Sequence, residues 1–447
     1  MKLSVRIPSQ SNSDPLPYRA NAPVSVEVDA TNLLIEGEIP SGLNGVFLKN
    51  SPTSLFHPAG SGFPAEGAGK VHALYLENGL ARYRNRWVRT AEYRKERAAG
   101  HPLAASCAGV HPANSRIVAH AGHLLAMGDA GRPYRLDWDL NTQGPNDFQA
   151  AFPGGMLSHS KLDPETGEMV LLANETRECR LDCLTVDPSG KLGKILSFDS
   201  PWPSRIHDIA VTRNYVVVIL SPFVLEDPQP RWRPVMGTAV ALIPRRGTEQ
   251  GIRWLETRPF FHLHVMNAFE KDHYIELQLP WYSSWREGAP LVGAELRRIR
   301  INLENRTVVD EQIDDCACEF PRINDRFAMR ENRFGYTAFR NTRLGEQPAE
   351  GSFEGFARYD FKAASRTVHT LPPGHFVGEP VFVPATNAGN EGEGYLMAII
   401  FNALQDRTSF RIYDAQNLYA PPLAQIQLPC RVPAGCHASW VPAQEVS

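Results

Sequence analysis

The sequence predicts an all-β fold, and three observations carry that expectation. Strand-sized apolar or alternating runs recur along the chain, turn-forming clusters separate them, and helical periodicity is scarce. Many short strands with regular turns fit a sandwich, a barrel or a propeller. At 447 residues, with no low-complexity linker or composition break, a propeller accommodates 1–447 as a single domain. No blade-length repeat of the W-D kind is visible, so the expectation rests on strand pattern and length.

The clearest hairpin covers 71–83. V-H-A-L-Y-L leads into E-N-G, and Asn78-Gly79 is the dipeptide that a type I′ turn favours because both central residues need positive φ. Beyond the turn, Arg82, Arg84 and Arg86 alternate with Tyr83, Asn85 and Trp87, which puts the arginines on one face. Residues 90–100, T-A-E-Y-R-K-E-R-A-A-G, form the best helical segment, with Gly100 placed to end it. Other strand-sized runs lie at 45–49, 168–173, 215–220, 239–243, 274–279, 334–339, 355–361 and 410–413. D-P-E-T-G at 163–167, D-P-S-G-K at 187–191 and P-A-G at 433–435 supply turns.

Composition narrows the function classes. The chain is 43% hydrophobic and 21% charged, with ample capacity for a large core. A net charge of −3 gives no electrostatic footprint for nucleic acid. The start, M-K-L-S-V-R-I-P-S-Q, has no apolar run suited to a signal peptide. No segment approaches the roughly 18 apolar residues of a membrane span; the strongest run, 394–401, is strand-sized. A soluble, cytoplasmic protein is the expectation. There are seven cysteines, an odd number. Cys179 and Cys183 flank R-L-D, and Cys316 and Cys318 flank Ala317, so neither pair has C-x-x-C spacing. Reduced, mostly buried thiols are expected.

Four of the fourteen histidines stand in distinctive contexts. His159 lies in L-S-H-S-K-L-D-P-E-T-G, His207 in I-H-D-I-A-V-T-R-N-Y, His264 in H-V-M-N-A-F-E and His437 in V-P-A-G-C-H-A-S-W. Further blocks run in order: G-L-N-G-V-F-L-K-N-S-P (42–52), R-Y-R-N-R-W-V-R-T (82–90), L-A-M-G-D within 119–134, E-F-P-R-I-N (319–324) and G-E-P-V-F-V-P (378–384). Together these motifs resemble those of the carotenoid cleavage oxygenases over most of the chain. The resemblance implies a seven-bladed β-propeller, with the metal on the central axis and a loop/helix cap over one face. It implies Fe(2+) held by His159, His207, His264 and His437; in the third motif the ligand precedes asparagine by three positions, which selects His264 over His262. Imidazole suits this ion, and four neutral ligands leave its charge intact. The resemblance makes Glu319, Glu379 and Asp129 the carboxylates that orient the histidines, Asp129 being a methylene shorter than the family's glutamate. It places Ser115, where the family has threonine, beside an open coordination position. No catalytic residue beyond the metal centre is implied.

Two departures bear on substrate. The family's F-D-G-D-G-M-[VIL]-H reads F-P-A-E-G-A-G-K-V-H here (63–72), with Ala68 and Lys70 at altered positions. Gly128 stands where the stilbene-cleaving branch carries a phenol-binding lysine. The expected reaction is therefore cleavage by O2 of one C=C bond in a carotenoid, apocarotenoid or similar apolar olefin, giving two carbonyl products. Alternatives are cleavage of a stilbene or phenylpropene to an aromatic aldehyde, an oxygen-independent ester-cleaving isomerisation known in one branch, and a non-catalytic binding propeller. Peripheral membrane contact would use apolar runs such as 222–225 and 280–282.

Overall fold

Alternation along the chain becomes alternation of burial. In the strand Leu80–Trp87, Tyr83, Asn85 and Trp87 are buried, while Arg82, Arg84 and Arg86 stay partly exposed. It pairs with Ala68–Glu77 across a turn in which Asn78 (φ 50°) and Gly79 (φ 78°) both occupy the left-handed region that the hairpin requires. The helix Ala91–Ala99 is the one α-helix among the described residues. Thr90 caps it by accepting the Tyr93 N–H, and Gly100 ends it at φ 75°.

The computed structural model describes residues 24–56, 67–101, 113–129, 131–149, 155–174, 179–226, 230–285, 294–340, 353–433 and 435–446. Their strands form seven antiparallel sheets of four to six strands, plus a small two-stranded ribbon, Phe223–Val224 with Arg231–Trp232. The seven sheets are the blades of a propeller, as the sequence leads one to expect. Every strand-sized run named above coincides with a strand to within one residue at an end; 215–220 is Tyr215–Leu220 and 239–243 lies within Thr238–Pro244, while 168–173 and 355–361 each overrun theirs by one residue.

Blades 2 to 6 follow in chain order, beginning at Arg116–His120, Lys161–Leu162, Ala210–Val211, Asn267–Lys271 and Ala317–Arg322. Blades 1 and 7 close the ring with strands from opposite ends of the chain. In blade 1, Ala438–Pro442 pairs with Gly45–Thr53; in blade 7, Ile35–Gly37 pairs with Ala424–Gln427. Apolar cores fill the spaces between successive blades. Val170 and Leu172 meet Val216 and Val218 between blades 3 and 4, and Val217 and Leu242 meet Leu277 and Ile299 between blades 4 and 5.

The strand ends at Thr53, Trp87, Leu220, Trp281 and Arg340 all lie on one face, the face on which the four histidines lie. The helix Ala91–Ala99 follows one of these strand ends, while the opposite face carries short turns such as 78–79 and 272–273. In the runs 222–225 and 280–282, Phe223, Val224, Trp281 and Tyr282 are buried. No helix among the described residues is long and apolar enough to cross a membrane.

Candidate metal centre

The four histidines occupy equivalent places in four blades. His159 precedes the innermost strand Lys161–Leu162, His207 precedes Ala210–Val211, His264 precedes Asn267–Lys271, and His437 directly precedes Ala438–Pro442. Side chains distant in sequence thereby meet at the hub. One ring nitrogen from each lies within 4.8 Å of those of the others. Ring centroids are 4.5 Å apart for His159–His207 and His159–His437, and 4.7 Å for His264–His437.

The three blades without such a histidine each supply a carboxylate. Asp129 follows the blade 2 strand His123–Met127, Glu319 lies on the innermost strand of blade 6, and Glu379 lies between two short strands of blade 7. Each meets the Nδ1 of one imidazole: Asp129 with His207 at 2.7 Å, Glu319 with His264 at 2.5 Å, Glu379 with His437 at 3.3 Å. Asp129 therefore reaches its histidine directly, with neither a bridging water nor a longer side chain.

These carboxylates are themselves held. Ser158 donates its N–H and hydroxyl to Asp129 Oδ1 at 3.0 and 2.6 Å. The Phe320 N–H and the Tyr282 hydroxyl donate to Glu319 at 2.6 and 3.3 Å. The Ala438 N–H donates to Glu379 at 2.6 Å, and the Arg322 guanidinium stands 3.5 Å away. Among the described residues no carboxylate bonds His159.

With Nδ1 of His207, His264 and His437 engaged outward, their Nε2 is left to face the hub. The Nε2 atoms of His159 and His264 are buried without a hydrogen-bond partner. Orphaned buried nitrogens are rare in proteins, and here they converge on one point, which fits a bound cation. Electrostatics agrees. Burial, then the neighbouring His437, His207 and His264, push the His159 pKa well below the usual imidazole value. Burial takes His437 down to about 4 despite Glu379. Both rings are therefore neutral, the form that donates a lone pair to a metal. Burial opposes protonation of His264 as well, yet the charge and hydrogen bond of Glu319 carry its pKa upward. Burial would raise Glu379, but His437 and Arg322 hold it far below the carboxylate range. An all-imidazole donor set suits Fe, Zn, Cu or Ni rather than Ca or Mg.

The sequence profile of the family described as Retinal pigment epithelial membrane protein matches residues 21–442. An isoeugenol monooxygenase of Pseudomonas nitroreducens is 30% identical over 472 residues, 97% of this chain and 99% of its own. A carotenoid cleavage oxygenase of Mycobacterium tuberculosis is 31% identical, covering 94% of this chain and 96% of its own. The chain belongs to the carotenoid cleavage oxygenase family. Among solved structures, a variant of the Synechocystis apocarotenoid oxygenase matches with a TM-score of 0.89 at 25% identity, over 96% of this chain and 98% of that one. This family member is an oxygenase that cleaves carbon–carbon double bonds, which leaves the non-catalytic alternative without support.

Its departures from the family now have structural meaning. Lys70, in place of an apolar residue, is fully buried. Its ammonium donates to the Val24 and Val26 carbonyls at 2.7 and 2.5 Å and lies 4.7 Å over the Trp87 ring. Residues 63–66 of the same motif lie outside the described residues. Ser115 donates its N–H to Met127 at 2.9 Å and accepts the His437 N–H at 3.2 Å, so it is braced against one of the four histidine segments. Gly128 packs so closely on the segment 113–114 that a Cβ there would stand 3.1 Å from Ala113 N. Six cysteines are free thiols among the described residues, as expected from the missing C-x-x-C spacing. Sequence reading missed Asp208, Lys161, Arg322 and Phe320. I-H-D, S-H-S-K and E-F-P-R contain them close to recognised residues, and adjacency was the available signal.

Proposed function

We propose that this protein is an Fe(2+)-dependent dioxygenase that adds both atoms of O2 across one C=C bond of a carotenoid, apocarotenoid or similar apolar olefin, releasing two carbonyl fragments. The observation that carries the reading is the convergence of four imidazoles from four blades, with inward-facing nitrogens left unpartnered. His159, His207, His264 and His437 would hold the ion, and Asp129, Glu319 and Glu379 would fix the tautomer and tilt of three of them. Bound iron would supply the centre at which O2 is activated and the olefin aligned. Ser115 would border the open side of the ion, its position fixed by the main-chain bonds to Met127 and His437. No protein acid or base is required, and 1–447 would act as one catalytic unit.

The second reading, cleavage of a phenylpropene or stilbene to an aromatic aldehyde, is favoured by the full-length likeness to an isoeugenol monooxygenase. Against it, Gly128 offers no cation to a phenolate. One experiment separates the readings. Protein reconstituted anaerobically with iron is exposed to ¹⁸O2 with a panel of apocarotenoids, stilbenes and phenylpropenes, and products are read by mass spectrometry. Label in both carbonyl fragments of an apocarotenoid supports the first reading. Turnover confined to aryl olefins supports the second, and turnover without oxygen overturns both in favour of isomerisation.

A further inference from the structure

Asp208 is the most heavily engaged carboxylate near the centre that bonds none of the four imidazoles. It follows His207 directly and is 1% exposed. Its backbone bridges that of His159 in parallel register. One carboxylate oxygen accepts the N–H of Val265, the residue after His264, at 2.7 Å, and the other accepts the Ile209 N–H at 2.7 Å. Lys161, two residues beyond His159, donates to the same carboxylate at 2.9 Å. A single side chain thus ties together the segments that carry His159, His207 and His264.

This differs in kind from what Asp129, Glu319 and Glu379 do. Each of those fixes the orientation of one ring. Asp129 also holds the His159 segment through the Ser158 N–H and hydroxyl, but none of the three spans three donor segments and none bonds the His159 ring. The two innermost strands concerned, Lys161–Leu162 and Ala210–Val211, are only two residues long, and among the described residues the one backbone pairing between their leading ends is the bridge His159–Asp208. Ladder bonds this few leave the spacing of the donors underdetermined, and a buried, charge-assisted hydrogen-bond node supplies the missing constraint.

We propose that Asp208 and Lys161 are a positioning pair that sets the spacing of three of the four metal-binding segments, and thereby the affinity and symmetry of the metal site. The inference rests on the metal-centre reading above, and the test separates the two. Cobalt(II) alone is the probe. Its visible bands report donor geometry, and competition with a chelator reports affinity. Wild-type protein, Asp208→Ala, Asp208→Asn, Lys161→Met and the core control Val218→Ala are compared, with circular dichroism and thermal melting recorded for each.

The expected result is cobalt affinity weakened about tenfold or more in Asp208→Ala, with displaced bands and a native β spectrum. Asp208→Asn, which keeps an acceptor for Val265 but loses the charge, falls between it and wild type, as does Lys161→Met. Val218→Ala lowers the melting temperature without moving the bands. Should Asp208→Ala fail to fold, Asp208→Asn and Lys161→Met carry the test. Wild-type bands and affinity in both, or shifts no larger than those of the core control, overturn the positioning role. Wild-type protein that binds no cobalt overturns the metal site itself, and the pair's role with it.

Discussion

A carboxylate one methylene shorter than glutamate still reaches its histidine because Ser158 and His207 divide its two oxygens between them. Removing it leaves His207 Nδ1 with no acceptor and frees the ring to turn. Asp129→Ala is therefore expected to weaken metal binding about 10- to 100-fold with the fold intact, measured by chelator competition beside circular dichroism. Unchanged affinity would mean that His207 is held by something else. Gly128 makes an opposite argument. Installing the phenol-binding lysine of the stilbene branch should not confer phenol recognition, because its Cβ would press the Ala113 and Asn114 backbone at 3.1 to 3.3 Å. Gly128→Lys is expected to lose about 1–3 kcal/mol of stability, read by denaturant melts, with no gain in turnover of phenolic olefins. The four histidines were legible because each is embedded in a run of unusual neighbours. Asp208 and Arg322 were not, since a charge beside a strand end looks the same whether it faces water or a hub.

Elements long enough to show a period were readable, and those too short were not. The hairpin Ala68–Glu77 to Leu80–Trp87 announced itself through its turn dipeptide and its alternation. Lys161–Leu162 and Ala210–Val211 are two residues each, below any periodicity, although they follow His159 and His207. Lys70 shows how an element can be altered yet kept. Its ammonium clasps the segment at 24–26 to blade 1 through two carbonyls, which a methionine could not do. Lys70→Met is expected to destabilise the protein by about 1–3 kcal/mol, because it leaves buried acceptors unpaired. The effect should depend on pH with a definite sign. Burial lowers the Lys70 pKa to about 8 from the ordinary lysine value of 10.5. The unfolded chain therefore binds more protons than the folded one between those values, and the wild type gains stability as pH rises through that window. The gap between wild type and Lys70→Met should widen from pH 8 to pH 10 in matched denaturant melts. A gap that narrows would show that the ammonium form is the one the fold prefers.

At the scale of the molecule, the ring had no sequence signature, because generic apolar pairs such as Val170 with Val218 fill the cores and nothing repeats from blade to blade. The histidines come from blades 1, 3, 4 and 5, so an ion held by them would cross-link four sheets. One of those links, His437, abuts the strand Ala438–Pro442 that closes the ring against Gly45–Thr53. Closure there is already reinforced: the Asn50 N–H donates to the His437 carbonyl at 3.1 Å, and Lys49 donates to Cys436 at 2.8 Å. The apo ring should therefore remain closed, and the ion should add stability by mass action, about 2.7 kcal/mol at a hundredfold excess over its dissociation constant. Metal-free protein is expected to keep its β spectrum and to melt earlier than protein loaded anaerobically with iron(II), as calorimetry would register. His437→Ala tests whether that gain runs through the seam. It removes one donor and the link to the closing strand together, while the backbone bonds of the closure survive. The iron-dependent rise in melting temperature should then largely disappear, although the metal-free variant melts close to metal-free wild type. An undiminished rise in the variant would place the ion elsewhere and remove His437 from the donor set.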